Sequence, residues 1–182
     1  EIFTYEAAHA AGRDPYEFRR DLLADKPRHL AVLNAVAQAA NWTEKRPQGT
    51  GLGISIVESF GSVVAEVVEV QVGSDGEPKV TNVWVAADPG EVVNPDGFTA
   101  QMQSGAIYGL SAALADEITY ENGRVVQSNY TDYPVLQLAA APKVHVTLVP
   151  QGGTTGGGGE PGTPPAFAGL TNAVFAATGK RV

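Results

Sequence analysis

An α+β fold, a mixed β-sheet with packed helices, is predicted by three observations. Two Val- and Ile-rich runs, 53–60 and 62–72, are separated only by Gly61, and a third, 79–87, follows the turn sequence Ser-Asp-Gly-Glu at 74–77. These strand-like runs are bracketed by segments whose apolar residues recur at helical spacing. No internal repeat or linker divides the 182 residues, a length that allows one sizeable core. Residues 1–182 are therefore expected to form a single domain.

Each element has its own signal. Asp14, Pro15 and Glu17 mark a helix start, with Phe18 and Leu22 sharing a face behind them. A second helix follows Pro27, with Leu30, Leu33, Ala37 and Ala40 as its stripe. Both read as packing elements and nothing more. The run Val-Val-Ala-Glu-Val-Val-Glu-Val-Gln-Val is too apolar for a strand wetted on one face, so it is placed centrally in the sheet, in a hairpin with 79–87. Residues 88–95 read as a loop and 96–115 as a long helix. Met102, Ala106, Leu110 and Leu114 lie on one face of that helix, and Gly105 and Gly109 on a neighbouring one. Glycines so placed cost helix stability and signal close approach of another backbone or a ligand. Residues 117–127 form a hairpin turning at Asn122-Gly123. Residues 143–149 alternate as a strand. The last helix takes Thr163 as N-cap and Pro164 at its first position, lines one face with Phe167, Leu170, Val174 and Ala177, and ends at Gly179.

Composition narrows the function classes. The hydrophobic share of 43% and charged share of 18% are those of a globular protein. The net charge of −8 argues against a nucleic-acid or anionic-membrane partner. No apolar run is long enough to span a bilayer. The opening residues show no basic stretch followed by an apolar one, so no signal peptide is expected. Compartment stays open between cytoplasm and periplasm. The absence of cysteine removes thiolate nucleophiles, iron–sulfur ligation and cysteine zinc sites from this chain.

The segment Gly-Gly-Gly-Gly-Glu-Pro-Gly-Thr-Pro-Pro, 156–165, is the strongest site candidate. A glycine-rich stretch with one glutamate reads, by itself, as a flexible loop. Here prolines and a helix start follow at once, which a flexible linker does not need. Glu160 is thereby presented at a fixed point, and is expected to be buried. Helix N-termini favour anions while burial raises a carboxyl pKa, and a general base works between those pulls. His9, His29 and His145 have no metal-ligand spacing and read as surface or satisfied residues. Glu58, Glu66 and Glu69 read as outward-facing charges on the sheet. Turn chemistry accounts for Asp88 and Asn94. Gln101, early in the glycine-bearing helix, offers an amide that both donates and accepts toward a polar cofactor, although an ordinary exposed glutamine has the same pattern. The cluster 49–53, Gly-Thr-Gly-Leu-Gly, neither opens a helix nor follows a clear strand, and is not read as phosphate-binding. No dinucleotide, P-loop or Ser–His–Asp pattern is present.

The same segments carry a family resemblance. AHAAGRDPYEFRR, ESFGSVVAEVVEV, DPGEVVNPDGFTAQMQSGAIYGLSAAL, EITYENGRVVQSNYTDYPVL, GGGGEPGTPP and NAVFAATGKR occur in that order. Together they resemble the C-terminal part of the molybdenum-binding large subunit of the xanthine dehydrogenase/aldehyde oxidase family. The likeness is greatest to the branch of isoquinoline 1-oxidoreductase beta subunits and bacterial aldehyde dehydrogenases. The resemblance implies a C-terminal molybdopterin-binding domain of a molybdenum hydroxylase. Such an enzyme oxidises an aldehyde or N-heteroaromatic with water as oxygen source, and the glutamate of the Gly-Glu-Pro motif is its base. That glutamate is Glu160 here. Gln101 is implied to lie near the pterin, and Gly157, Gly158 and Gly159 to pass beside the metal, with no side-chain metal ligand. The cofactor implied is molybdopterin, in its cytosine dinucleotide form, with molybdenum. Implied partners are a larger molybdenum-binding chain that shares the cofactor, a small subunit with two [2Fe–2S] clusters, and a small-molecule substrate. Gly158 departs from the small branched residue usual at its position, which implies a looser loop. The chain covers only the closing part of such a large chain, so the other cofactor loops are expected on another polypeptide. A non-catalytic structural or assembly module keeping this fold is the alternative, and an independent small binding protein a third.

Overall fold

Three helices precede the first strand in the computed structural model, which describes residues 1–182. They are α1 (Ile2–Ala10), α2 (Pro15–Leu22) and α3 (Pro27–Ala39). The start signal at Asp14 holds: its side chain accepts from the backbone N–H groups of Tyr16 and Glu17, and Pro15 opens α2. α1 has no such signal and no side-chain cap, and it buries only Tyr5 and Ala8. In α3 the stripe is wider than its spacing suggests, since Val32 and Val36 are buried with Leu33, Ala37 and Ala40.

Strands β1 (Thr50–Ser59), β2 (Ser62–Val72) and β3 (Pro78–Asp88) follow as an antiparallel meander. Then come α4 (Pro95–Leu114), a small hairpin of β4 (Tyr120–Glu121) and β5 (Arg124–Val125), β6 (Lys143–Leu148) and α5 (Thr163–Thr178). β6 joins β3 in parallel, giving the mixed order β1-β2-β3-β6. The central position expected for β2 is therefore observed. A parallel pair needs a long crossover, and α4 with the 117–141 segment supplies it.

The sheet has a core on each face. On one face Val64, Val68, Val83 and Val85 lie against Met102 and Leu110 of α4 and Leu170 of α5. Against α3 lie Ile54, Val63, Ala65 and Val67. Alternate residues of β2 feed the two cores, which is why the strand is apolar on both faces.

One expectation is corrected here. The N-cap of α5 is Gly162 rather than Thr163, without a side-chain bond. The α5 stripe holds at Leu170 and Val174, with Ala177 packed on the core, and Ala166 and Ala173 widen it, while Phe167 lies at its edge, 37% exposed. Gly169 shares the buried face, where a Cβ would press into Val68. The glycine readings in α4 hold. A Cβ on Gly105 would meet Gly162 Cα at 3.1 Å, and one on Gly109 would meet Ala166 Cβ at 2.8 Å, so the close approach is to the start of α5.

Candidate active site

The segment before Glu160 is a mounted loop. Gly156 N donates to Pro89 O at 2.7 Å and Gly157 N to Phe60 O at 2.8 Å. Ser62 Oγ donates to Gly157 O at 2.6 Å. The loop is thus tied to the β1–β2 turn and to the chain leaving β3. Both supports are held by one side chain that sequence reasoning assigned to packing alone. Arg28, on α3, donates Nε to Asp88 Oδ2 at 2.5 Å, and Nη2 to Gly61 O and Asp88 O at 2.8 Å each. Asp88 is fully buried, and its other oxygen accepts from Gly90 N at 2.8 Å and Gln151 N at 3.2 Å. Asp88 therefore does more than form a turn, whereas Asn94 caps α4 by accepting from Gly97 N.

Beyond Gly157 the loop packs on α4. A Cβ on Gly158 would lie 2.7 Å from Phe98 Cε2. The space that a branched residue would need is filled by the Phe98 ring, so glycine here makes the loop no looser. Gly159 has nothing within 4 Å of such a Cβ. After Glu160 the chain is fixed again: Thr163 N donates to Glu160 O at 2.9 Å, and Pro161 and Gly162 are buried against α4.

Glu160 itself is exposed, as is Gln101. The expectation of a buried acid is not met within these 182 residues, because no part of the chain covers the loop. One cleft of the chain is lined by Gly90, Val92, Pro95 and Leu148 and does not include Glu160 or Gln101. The structure does bring the predicted residues to one place. Gln101 stands three residues after Phe98 on α4, so it shares the face that meets Gly158. The backbone N–H groups of Gly158, Gly159 and Glu160 and the Gln101 amide have no partner within the chain.

The histidines stay apart. His29 meets Glu58 at 2.9 Å, His145 stacks on Trp84, and His9 packs on Phe175. No group of three or more His, Cys, Asp or Glu is placed to hold a metal ion. Glu58 is exposed as expected, and Glu69 accepts from Thr81 and Asn82. Glu66 is the correction. It is fully buried with neither carboxyl oxygen hydrogen-bonded, and burial pushes its pKa well above the ordinary 4.5. The signal was present: Glu66 and Glu69 are an odd number apart, so a regular strand points them to opposite faces.

A family model described as a molybdopterin cofactor-binding domain matches residues 17–142. The chain belongs to this family. As a molybdopterin cofactor-binding domain it is 35% identical over 153 residues to the beta chain of isoquinoline 1-oxidoreductase from Brevundimonas diminuta, covering 82% of this chain and 20% of that one. It is 32% identical to one of the subunits of nicotinate dehydrogenase from Pseudomonas putida, over all of this chain and 17% of that protein. A membrane-bound aldehyde dehydrogenase of Gluconacetobacter polyoxogenes is 30% identical, again over all of this chain and 26% of the relative. The chain thus spans about a fifth of these relatives' lengths. Among solved structures, quinoline 2-oxidoreductase from Pseudomonas putida 86 superposes with a TM-score of 0.60 at 22% identity, over 65% of this chain and 16% of that one. The aldehyde oxidoreductase of Desulfovibrio gigas gives 0.53 at 25% identity, over 66% and 14%. The mixed sheet with packed helices is therefore the fold of the molybdopterin-binding domain in such enzymes.

The residues present fit the cofactor. Free main-chain N–H groups on Gly158, Gly159 and Glu160 and the free Gln101 amide suit a polar, phosphate-bearing pterin.

No helix of the chain is long and apolar enough to cross a membrane.

Proposed function

We propose that this domain contributes the general base of a molybdenum hydroxylase. The substrate class is an aldehyde or an electron-poor N-heteroaromatic, and water is the oxygen source. The single observation behind this reading is that Glu160 projects from a loop mounted on both sides, beside unpaired main-chain donors and Gln101. The cofactor, when bound, supplies the two-electron redox chemistry. Gln101 and the Gly158 and Gly159 backbone would hold the pterin, with Gly157, bonded to Phe60 O and Ser62 Oγ, as the support that carries them. The Glu160 carboxylate would accept the proton of the water-derived nucleophile on one of its oxygens. The bonds at Gly156, Gly157 and Thr163 would keep that carboxylate from swinging away.

In this reading residues 1–182 act as one unit, and the cofactor is molybdopterin in its cytosine dinucleotide form. A larger molybdenum-binding chain would close the site over Glu160, and a small subunit with two [2Fe–2S] clusters would carry electrons away. The names of the relatives support the substrate class, since they act on isoquinoline, nicotinate and aldehydes.

The test is Glu160→Gln in the assembled complex, with molybdenum measured in the same sample. Loss of a general base is expected to lower kcat by about a hundredfold or more at unchanged metal content. Turnover near the wild-type rate would remove Glu160 from the role. Absence of molybdenum from the wild-type complex would favour a structural or assembly module instead.

A further inference from the structure

Glu66 occupies the middle of β2, opposite Ser55 on β1 and Val85 on β3. Its same-face neighbours Val64 and Val68 belong to the core covered by α4 and α5, so its carboxyl points beneath those helices. Ser55 fixes the level along α5. Its Oγ donates to Pro165 O at 2.7 Å, and a Cβ on Gly169 would approach the same Oγ at 3.5 Å. Glu66 therefore lies under the first turn of α5 at the level of Pro165, which is five residues downstream of Glu160.

Nothing around it is built to neutralise a charge. Ser55 faces it from β1, Val85 from β3, and the buried faces of α4 and α5 present Met102, Ala106, Ala166 and Leu170, none of them titratable. No cation pairs with Glu66. The helix start above it offers little, because Pro164 and Pro165 carry no N–H. Yet a carboxyl group is retained where valine or leucine would complete the apolar core. A buried, unpaired polar group costs stability, which points to a use.

We propose that Glu66 is a positioning residue for Glu160: its carboxyl donates a hydrogen bond, through an enclosed water, to the first turn of α5 and so sets where the 156–162 loop stands. Burial supports this, since it raises the carboxyl's pKa and so favours the protonated, donating form. A protonated carboxyl donates once and accepts as well, so one water can satisfy both of its oxygens and a helix carbonyl. The inference rests on the reading of Glu160 as base for its purpose, but not for its test.

The test uses the full-length polypeptide in its complex, with Glu66→Gln and Glu66→Leu. Infrared spectra at neutral pH are expected to show a protonated-carboxyl C=O band that Glu66→Gln removes. Amide hydrogen exchange at Gly157 and Thr163, whose N–H groups are bonded to Phe60 O and Glu160 O, is expected to quicken about tenfold in Glu66→Leu, which keeps the volume and loses the donor. Glu66→Gln keeps a donor and is expected to stay within about threefold of wild type. Lack of a Glu66-dependent band overturns the proposal, as does equal exchange in the two variants. Should the leucine variant not accumulate, the band decides alone. Failure of the base assignment would look different: Glu160→Gln would keep its rate while the Glu66 band stayed in place.

Discussion

Arg28 and Asp88 show how one pair of side chains stiffens a site that neither of them enters. Arg28 is about a third exposed and Asp88 fully buried, and their contacts tie α3 to the β1–β2 turn and to the end of β3. Removing the cation leaves a buried carboxylate with only the N–H groups of Gly90 and Gln151. Arg28→Met is expected to cost about 2 kcal/mol, below the range for a wholly buried pair because solvent reaches the arginine. Adding Asp88→Asn removes the stranded charge and is expected to recover about half of that loss. Urea unfolding of the two variants checks both values. Equal stability of single and double variants would mean that the bonds to Gly61 O and Asp88 O, rather than the ion pair, hold the loop. None of this was legible in the sequence. Arg28 follows the helix-starting Pro27 and looks like any surface arginine, and its partner lies 60 residues away.

Elements were legible where one local pattern determined them. The meander and the small hairpin showed because turn residues end their strand runs, Phe60-Gly61 after β1, Ser74–Glu77 after β2 and Asn122-Gly123 after β4. At 60–61 and 122–123 the second residue is glycine and both take positive φ. α4 showed through the spacing of Met102, Ala106 and Leu110. Its glycines pointed correctly to a close backbone, and that backbone is the start of α5. What failed was whatever depends on tertiary partners. α1 has no cap, and the buried face of α5 reaches beyond its apolar stripe to Ala166, Gly169 and Ala173. Within the glycine cluster 49–53, Gly51 and Gly53 serve contact between β1 and α5. A Cβ on Gly53 would strike the backbone of Gly169 and Ala173. Gly53→Ala is thus expected to cost about 3 kcal/mol, because neither backbone can yield without moving helix or strand. Gly123→Ala, at φ +75 with open space around it, is expected to cost about 1 kcal/mol from its backbone conformation alone. The ratio of the two losses in one denaturation series tests the packing argument. Similar losses would assign the cost at Gly53 to strand flexibility instead.

At the scale of the whole molecule, two sets of acids oppose each other as pH changes. Asp21 is held below the usual aspartate range by its hydrogen bond from Arg13, and Asp132 by backbone N–H groups of Ser128 and Asn129. Both are exposed, so each contributes little, and what they contribute is lost as pH falls below their unfolded value of 3.8. Glu66 has the opposite sign. Its folded carboxyl holds a proton that the unfolded chain releases near 4.5, so the native state binds more protons above that pH. Stability is then greatest on the acid side of 4.5 as far as Glu66 is concerned, and declines as pH rises toward the elevated folded pKa. Glu66→Gln cannot titrate and removes only this decline. In the full-length protein, the unfolding midpoint of wild type is expected to fall relative to the glutamine variant between about pH 5 and neutrality. Parallel curves over that interval would mean that the carboxyl ionises inside the fold, and the water-bridged donor under α5 would lose its physical basis. Diverging curves would show that the polar group beneath the Glu160 loop is kept at a measurable cost to the fold. Natural proteins carry such costs where a site needs them.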